Sequence, residues 1–538
     1  MTERSQRDQE TSGRLNLARH VYRRGLESPD LVSIACEGEE LTYRDLSRRA
    51  GKLAAVLRAR LNLAGGGSPK PLIGVIASRS IDACVAALGS AWAGATYVPI
   101  GTKTPEDRLR KIAQACGFAA FVTDAQGAKL LSPAVLAEVA PPLIVVPRSE
   151  PYRELAARCG KLVLDTRSLE DEREPPLADF EPDDLAYVMF TSGTTGVPKG
   201  VMISAGSANG FLDMIGERLC LDEHDRTLEV TELGFDVSVM NMFGTWEAGA
   251  SLHVLPAARV MNAVAFARDS RLTVWNSTPS LIALLRQIKQ LSPDSLPDVR
   301  LAIFIGEPLS RSAVAAFRAA APGCVVENLY GPTEATVVCT GQRAESDYVL
   351  TPNRDVLSIG TPLPGNEAVV MNDRHEILPP GQIGELVLSG PQLAQGYLGA
   401  PDLTSAKFPV IDGKRWYLTG DSAFCGSDGL LHHLGRIDNQ VKVLGNRVEL
   451  EEIEAHLRDI TQLELVAVVP WPTVDGMHHG LIAFVCGAER ASVIPALQRR
   501  VPAYMLPSKI HWLEQMPINQ NGKIDRRALT RKLESEKI

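Results

Sequence analysis

The chain of 538 residues carries 56 basic and 64 acidic side chains, a formal charge of −8, and 45% of its residues are hydrophobic. This length and composition predict two or more structural units with ample core and exclude a disordered chain. Because the basic residues are scattered through an acidic chain, a nucleic-acid partner is not expected.

The cysteines and the apolar stretches indicate the compartment. Nine cysteines are widely spaced and form no CxxC pair, which favours buried thiols in a reducing compartment and gives no zinc-ligand spacing. The N-terminal residues are charged and polar where a secretory signal would be apolar. The most apolar region, residues 72–100, is interrupted by Arg79 and Asp82 and is predicted to be buried core. We therefore expect a cytoplasmic protein with no membrane span.

The first predicted element is an amphipathic helix over residues 41–58, where apolar residues recur at helical spacing after Thr42. Strand-like runs separated by helical patterns then follow at residues 71–77, 119–124, 142–147, 185–193, 272–277, 299–306 and 324–331. This alternation predicts an α/β fold class, with parallel or mixed sheets flanked by helices. Ligands of such sheets bind at the carboxyl ends of the strands.

The pattern changes after about residue 350. Shorter strands with Gly and Pro turns, at residues 384–390 and 429–436, predict a β-rich subdomain. From residue 450 the pattern predicts a small α+β domain of about one hundred residues. Its predicted elements are a helix at 450–460, strands at 463–471 and 479–487, and a helix at 495–507 that ends at a proline.

The segment TSGTTGVPKG at residues 191–200 directly follows a strand-like run. Its glycines and hydroxyl residues let backbone N–H groups approach an anion, and Lys199 adds positive charge. The glycine spacing and Pro198 do not fit the GxxxxGK[ST] loop of nucleotide hydrolases. We therefore predict a phosphate-binding loop, with a flexible surface turn as the alternative.

This loop resembles the signature of the adenylate-forming superfamily, which includes acyl-CoA ligases, luciferases and peptide-synthetase adenylation domains. Further motifs follow in the family's order: YGPTEAT at 330–336, GELVLSG at 384–390, YLTGD at 417–421, GRIDNQVKVLGNRVELEEIE at 435–454 and NGKIDR at 521–526. The resemblance covers nearly the whole chain. It implies that a carboxylate attacks the α-phosphate of ATP, which gives an acyl adenylate and pyrophosphate.

The resemblance also implies roles for individual residues. Thr333, Lys199 and Lys523 would stabilise charge at the reacting phosphate, and Glu334 would be the Mg²⁺ ligand. Asp421 would accept both ribose hydroxyls with help from Arg436. The remaining nucleotide contacts would come from Thr191, Ser192, Gly193, Thr194, Thr195, Gly306, Glu307, Asn328, Tyr330 and Gly331. An ordinary helix start at residue 333 and a core position for Tyr330 are the alternatives.

Asp438 matches the family's hinge position. The resemblance therefore implies an adenylation core at residues 1–437 and a small mobile C-terminal lid domain at residues 438–538. A two-step enzyme must shield the adenylate from water and then expose it to a thiol, and movement of a lid would satisfy both demands.

The motif FDVS at residues 235–238 indicates which acid is activated. By resemblance to amino-acid-activating members, Asp236 would bind the α-ammonium group of the substrate. An ammonium moved out of water needs an opposite charge, whereas a fatty or aryl acid would leave this carboxylate unpaired. The sequence therefore favours an amino-acid substrate, with a solvated loop aspartate as the alternative.

Local matching to the family also gives a substrate pocket. Its lining would be Val237, Met240, Asn276, Ile303, Ile305, Leu329, Val337 and Val338, with Lys523 closing the set. Because most of these side chains are branched and apolar, a small substrate such as alanine is predicted. Several segments resemble D-alanine:carrier protein ligases, but Ile305 stands where those ligases have a small cysteine. Glycine, either enantiomer of alanine and proline therefore remain open.

The acceptor is predicted from the short segment after the last motif. Twelve residues follow Arg526, so the aminoacyl group is expected to pass to the phosphopantetheine thiol of a separate acyl or peptidyl carrier protein. Coenzyme A is the less favoured acceptor. The main hypothesis is an ATP- and Mg²⁺-dependent amino acid ligase, and the alternatives are an acyl- or aryl-CoA ligase and a non-catalytic nucleotide-binding protein. The histidines form no metal set, and no GxSxG motif supports a hydrolase.

Overall fold

The computed structural model describes residues 14–63, 69–139, 141–146, 152–165, 174–193, 198–345, 347–474, 477–490, 492–518 and 524–535. Three predicted site residues, Thr194, Thr195 and Lys523, lie outside the described residues. The predicted fold class is confirmed, because large sheets flanked by helices are followed by smaller sheets.

One large sheet carries the predicted phosphate loop at the end of its strand Leu185–Thr191. In the described part of the chain its eight strands run in the order Gly396–Tyr397, Lys199–Ser204, Leu185–Thr191, Thr96–Gly101, Leu72–Ala77, Ala120–Thr123, Leu143–Val146 and Leu162–Asp165. The first two strands are antiparallel to their neighbours, and the others pair in parallel. These strands are almost continuously apolar because both faces of the sheet are buried.

A second large sheet carries the predicted substrate pocket. Among the described residues its nine strands run in the order Thr361–Pro362, Thr340–Ala344, Val325–Tyr330, Leu301–Ile305, Val274–Ser277, Arg226–Glu229, Ser251–Val254, Val32–Cys36 and Glu39–Thr42. The central strands pair in parallel, and antiparallel strands lie at the edges. The carboxyl ends of several parallel strands therefore meet at one edge of the sheet.

The β-rich region predicted after residue 350 is an antiparallel sheet. Its strands, in order, are Glu367–Met371, Gly384–Ser389, Tyr417–Cys425 and Leu431–Arg436. A short hairpin, Val410–Ile411 with Lys414–Arg415, lies between the second and third of these strands in the sequence. Asp421 and Arg436 are directly paired across the last two strands, which brings the two residues predicted to bind ribose together.

The C-terminal residues form two further sheets. One contains Asn446–Glu449, Gln440–Val443, Met477–His478 and Thr473–Val474, and the other contains Val466–Pro470, Leu481–Cys486 and Lys509–Leu513. Two apolar clusters drawn from residues 441–533 form the core of this part. It therefore has a core of its own beside the larger clusters of residues 15–431.

The helices cover the sheets. They are Arg19–Glu27, Tyr43–Leu61, Ile81–Ala93, Glu106–Cys116, Pro133–Val139, Tyr152–Cys159, Ala205–Leu219, Val237–Val239, Thr245–Ala248, Ala263–Asp269, Pro279–Gln287, Arg311–Ala320, Pro401–Lys407, Leu450–Thr461, Val493–Gln498 and Arg526–Ser535. Short stretches of 3₁₀-helix occur at Gly127–Leu130, Ala257–Asn262, Thr333–Ala335 and Ala503–Met505.

The predicted helix at 41–58 is confirmed and extends over Tyr43–Leu61. Thr42 and Asp45 form a capping box, which satisfies free backbone N–H groups at the helix start. Leu53 packs against Gly89 of the next helix, where a Cβ atom would come within 2.6 Å of the leucine side chain. Glycine at this position therefore lets the two helices approach closely.

Two predictions need correction. The predicted helix at 495–507 is instead a short helix, Val493–Gln498, followed by the 3₁₀ turn Ala503–Met505. Pro502 separates them because proline has no N–H group for a continuing helix. The thiols, predicted to be buried, differ in exposure, and Cys220 is exposed; all nine cysteines are free. Of the helices in the described ranges, none has both the length and the apolar character needed to cross a membrane.

Candidate active site

The candidate site lies at the carboxyl ends of parallel strands in the second large sheet. Asn276 pairs with Ile303 on the neighbouring strand, and Ile305 pairs with Leu329 on the next one. All four side chains are buried. The structure thus brings half of the predicted substrate-pocket residues together on adjacent strands.

Asp236 lies directly before the helical turn Val237–Val239 and is half-buried. Burial and the negative charge of Glu334 raise the pKa of Asp236 to about 6, against a hydrogen bond from Thr333 and the positive charge of Lys442. Within the described ranges, no basic side chain forms an ion pair with this carboxylate. The site therefore offers an anion that a cationic ligand can neutralise.

The other predicted pocket residues surround this turn. Met240 begins a π-helical stretch, Met240–Gly244, and π-helical turns are frequent at functional sites. Val337 and Val338 are buried beyond the 3₁₀ turn Thr333–Ala335. Thr336 and Val337 both have positive φ, at 50° and 69°, which is unusual for β-branched residues. Such strained backbone persists only where its surroundings hold it, and it clusters at binding sites.

A buried polar chain continues from the pocket into the core. Asn276 donates a hydrogen bond from Nδ2 to Oδ1 of Asn241, and Asn241 donates from its own Nδ2 to Glu229 over 3.3 Å. Burial raises the pKa of Glu229 to about 8, against hydrogen bonds from Thr231 and Asn241. The bond to Asn241 uses one of the two N–H donors of the Asn276 amide.

Glu334, the predicted Mg²⁺ ligand, is completely buried. Tyr397 donates to its Oε1 over 2.9 Å, and Arg447 donates to its Oε2 over 2.8 Å. Burial would raise the pKa of Glu334, but the charge of Arg447 and these hydrogen bonds lower it to about 2. An ionised carboxylate suits a hard cation, but Arg447 already holds one of its oxygens in the described arrangement.

Asp421 has several partners among the described residues. Tyr330 donates its hydroxyl proton to one oxygen, and the other oxygen contacts His433 at 3.2 Å and Arg436 at 3.1 Å. Burial opposes ionisation, but hydrogen bonding and charge from His433 and Arg436 hold the pKa of Asp421 well below its ordinary value. This ionised carboxylate has the acceptor chemistry that two ribose hydroxyls require.

The predicted adenine wall also lies at strand ends. Gly306 has φ of 95°, and Glu307 beside it accepts a hydrogen bond of 2.9 Å from the backbone of Ser280. Gly331 has no space for a side chain, since a Cβ atom would approach the carbonyl of Val337 to 2.5 Å. Asn328 is buried, and its side-chain nitrogen donates a hydrogen bond to the carbonyl of Ser358. This nitrogen therefore stabilises the fold through its bond to Ser358.

The described part of the phosphate loop contacts the C-terminal residues. Ser192 donates to the backbone carbonyl of Arg447 over 3.0 Å, and the Gly193 N–H donates to Glu452 over 3.0 Å. Lys199 forms a 3.3 Å ion pair with Glu449. Two of the predicted anion-binding donors, the Gly193 N–H and Lys199, therefore bind carboxylates in this arrangement, and Ser192 binds a carbonyl. Thr191 lies at the end of its strand, and its carbonyl accepts from Arg108.

Asp438, the predicted hinge residue, lies on the surface and pairs with Arg436, with N···O distances of 2.9 Å and 2.6 Å. Beyond it, the hairpin Gln440–Val443 and Asn446–Glu449 enters the site. Burial and the positive charge of Arg447 lower the pKa of Lys442, against the attraction of Asp421 and Glu307.

Several side chains at the site are not among the residues predicted from the sequence. His433 contacts Asp421 from the β-rich sheet, and Tyr397 donates to Glu334 from the edge strand Gly396–Tyr397 of the first large sheet. Arg447, Glu449 and Glu452 lie in the motif at 435–454, in which only Arg436 and Asp438 were assigned roles. The density of charges in that motif was the available signal, whereas nothing local marks Tyr397.

This fold, with a Gly- and Thr-rich loop and an ionised carboxylate beside parallel strand ends, is the fold of adenylation-domain structures in the AMP-binding (ANL) superfamily. The chain belongs to the AMP-binding enzyme family, because the model of that family matches residues 21–398.

Two relatives are similar over almost the whole chain. Tyrocidine synthase 2 of Brevibacillus parabrevis is 32% identical over 516 residues, which are 94% of this chain and 13% of that protein. The chain thus spans about an eighth of this relative. The adenylation domain AlmE of Vibrio cholerae, solved with glycyl-adenosine-5'-phosphate, is 28% identical, with 96% of this chain and 98% of that chain covered and a TM-score of 0.84.

A third similar structure includes a second domain. NpsA-ThdA of Klebsiella oxytoca is an artificially fused adenylation–PCP di-domain that is 23% identical to this chain. The likeness covers 93% of this chain and 94% of that chain, with a TM-score of 0.75, and it shows a shared fold.

Proposed function

We propose that this protein uses ATP to adenylate a small amino acid and then transfers the aminoacyl group to the phosphopantetheine thiol of a separate carrier protein. Glycine, either enantiomer of alanine and proline are the candidate substrates. Residues 1–437 would form the adenylation core and residues 438–538 the mobile lid, with Asp438 as the hinge.

The observation that carries this proposal is the environment of Asp236. Its carboxylate is half-buried, shares a hydrogen bond with Thr333 and has no ion-pair partner in the part of the chain that the structure describes. An α-ammonium group would neutralise it, whereas an amine-free acid would leave it desolvated and unpaired. Thr333, its neighbour, is the residue assigned to the α-phosphate, so both ends of an aminoacyl adenylate fit one site.

The first step is phosphoryl-group substitution. An oxygen of the substrate carboxylate attacks the α-phosphorus of ATP, the bond from that phosphorus to the bridging oxygen breaks, and pyrophosphate leaves with the electron pair. Donors aimed at the phosphate oxygens stabilise the charge that develops. Thr333, Lys199 and Lys523 are assigned this role, and the N–H of Gly193 would contribute as part of the phosphate loop.

The nucleoside would be bound by Asp421, Tyr330 and the turn Gly306–Glu307. Asp421 would accept the ribose hydroxyls, and Arg436 and His433 keep it ionised and oriented. Tyr330 and the turn Gly306–Glu307 would border adenine. Glu334 would supply a carboxylate oxygen to Mg²⁺, which neutralises phosphate charge when it is bound. Within the described residues, no set of three acidic, histidine or cysteine side chains forms a metal cage, so phosphates and water would complete the coordination.

The pocket supports a small side chain. Ile303 and Ile305 are buried at alternate positions of one strand and therefore lie on the same face of the sheet. Met240, Val337 and Val338 belong to the same apolar cluster. These branched groups leave an aromatic or long side chain little room. AlmE, which is similar along 96% of this chain, was solved with a glycyl adenylate, and this also supports a compact substrate.

In the second step, the thiolate of the carrier attacks the carbonyl carbon of the adenylate. The carbon–oxygen bond to the phosphate breaks, AMP leaves, and a thioester remains. The adenylation–PCP di-domain of similar fold supports a carrier as the acceptor, with coenzyme A as the alternative.

Amino-acid-dependent exchange of pyrophosphate into ATP tests the proposal. We expect exchange with one or more of glycine, L-alanine, D-alanine and proline, and none with acetate or benzoate. Activity with the amine-free acids alone would refute the amino-acid assignment and favour an acyl- or aryl-CoA ligase.

The acceptor is tested separately. Purified aminoacyl adenylate formed on the enzyme is presented with a phosphopantetheinylated carrier protein or with coenzyme A, and thioester formation is measured by intact mass. Transfer to coenzyme A without transfer to a carrier would refute the second half of the proposal.

A further inference from the structure

Three charged residues from one short segment occupy the groups that were assigned to magnesium and phosphates. We call residues 447–452 the docking segment. Its Arg447 binds Glu334 at 2.8 Å, and its Glu449 binds Lys199 at 3.3 Å. Its Glu452 accepts the Gly193 N–H at 3.0 Å. One cation of the segment therefore lies on the metal ligand, and two carboxylates lie on the phosphate-loop donors.

These contacts are buried. The side chain of Glu452 is 1% exposed, that of Glu449 is 4% exposed and that of Glu334 is fully buried. Arg108 completes the site, because it donates to Glu452 over 2.8 Å and also to the carbonyl of Thr191. Buried charges of this kind need partners. Lys199 and the Gly193 N–H must therefore bind the segment or another anion, and Glu334 must bind the segment or another cation.

The charge pattern of the segment corresponds to that of magnesium pyrophosphate. A guanidinium replaces the cation at a carboxylate ligand, and two carboxylates replace phosphate oxygens at a backbone N–H and an ammonium. The match extends to position, since Ser192, Gly193 and Lys199 belong to one loop and its neighbouring strand. A general salt bridge would not require all three partners to be groups assigned to the phosphates of ATP and their Mg²⁺.

We propose that the docking segment is an internal substitute for magnesium pyrophosphate, so that docking of the segment and binding of that product exclude each other. The segment would take over the vacated donors when pyrophosphate leaves, and it would keep Glu334 and Lys199 neutralised while the carbonyl is exposed to a thiol. This inference rests on the proposed adenylation function and adds a role for Arg447, Glu449 and Glu452 in it.

Mutual exclusion has a measurable consequence. Two binding events that compete for the same groups must weaken each other by the same factor. Added magnesium pyrophosphate is therefore expected to release the docking segment, and weakening the segment is expected to tighten the binding of magnesium pyrophosphate.

Hydrogen–deuterium exchange of the full chain without nucleotide tests the first consequence. The probe is inorganic pyrophosphate with Mg²⁺, and Mg²⁺ alone and sodium sulfate serve as control additions. We expect faster exchange in peptides covering residues 440–452 with magnesium pyrophosphate and little change with sulfate. Unchanged exchange at saturating magnesium pyrophosphate would overturn the inference.

Titration calorimetry with the same probe tests the second consequence. Arg447→Gln and Glu452→Gln are expected to lower the dissociation constant about tenfold or more, because each removes one charge of the competing pairs. Glu454→Gln is the matched control, since Glu454 lies on the same helix, is 3% exposed and pairs with Arg526 instead of the loop. Its dissociation constant is expected to match that of the wild type.

Equal dissociation constants in all four proteins would overturn the inference. If a variant does not fold, as judged by circular dichroism, the exchange experiment on the wild type decides alone. Failure of the proposed function is distinguishable: the wild type would then lack amino-acid-dependent pyrophosphate exchange while magnesium pyrophosphate still released the segment.

Discussion

Replacing Asp236 with asparagine removes the charge of the side chain and keeps its shape and its ability to accept a hydrogen bond from Thr333. The amino acid would then bring its ammonium into a half-buried site with no anion to neutralise it. Truncation of one partner of such a buried charge pair costs about 2–5 kcal/mol, which corresponds to a loss of about 30-fold to 4000-fold in kcat/KM. The measurement is amino-acid-dependent pyrophosphate exchange.

The pH profile of the same reaction gives an independent check. Because burial raises the pKa of Asp236 to about 6, protonation below pH 6 is expected to reduce kcat/KM for the wild type. In Asp236→Asn this acidic limb should be absent at that pH. The residual activity of the variant should therefore be flat where the wild type titrates.

The same substitution is expected to raise the free energy of unfolding, although it lowers activity. A carboxyl whose folded pKa is raised is destabilising when ionised, so its penalty is absent below its ordinary pKa and complete above pH 6. For a rise of about two units the penalty is about 3 kcal/mol at most. Asp236→Asn should therefore melt at a higher temperature than the wild type at pH 7.5 and at the same temperature near pH 4.

Two results would refute this reasoning. A variant that retains wild-type kcat/KM for its amino acid would show that Asp236 does not bind the ammonium group. A variant that is less stable at pH 7.5 would show that another cation neutralises the carboxylate in solution. Asp373→Asn is a matched control, because Asp373 is an exposed aspartate in the turn between the strands Glu367–Met371 and Gly384–Ser389, outside the site.

Three further predictions concern other groups. Glu229→Gln should be more stable than the wild type at pH 9 and equal at pH 4, because burial raises the pKa of Glu229 to about 8; thermal melts at both pH values check this. His433→Ala should raise KM for ATP about tenfold or more through its bond to Asp421, and unchanged KM would contradict that role. Lys523→Ala should slow adenylate formation at least about 100-fold in single-turnover measurements, and a wild-type rate would disprove the assigned role.

Much of the fold could be predicted from local patterns. The helix Tyr43–Leu61 has apolar residues at helical spacing and a Thr–Asp capping box, and both signals lie within the segment itself. The buried parallel strands are recognisable as short apolar runs. The helix expected at 495–507 was wrong because its apolar spacing continues past Pro502, where the backbone cannot.

The site was only partly predictable. Asp236, Thr333 and Asp421 are recognisable because each lies in a short motif. The partners of those motifs are distant in the chain: Tyr397 is 63 residues from Glu334, and Arg447 is 113 residues from it. Such contacts depend on how sheets pack and on where the C-terminal hairpin enters, and no local periodicity encodes either.

The bond between Arg108 and Glu452 also matters for engineering. A chimera that joins the C-terminal part of a related enzyme to residues 1–437 of this chain would have to keep this bond. Here a transplanted segment without an acidic residue at position 452 would leave Arg108 buried with no counter-ion. Enzymes whose C-terminal segments suit this chain can therefore be selected by checking that position 452 of the segment is acidic where position 108 is arginine.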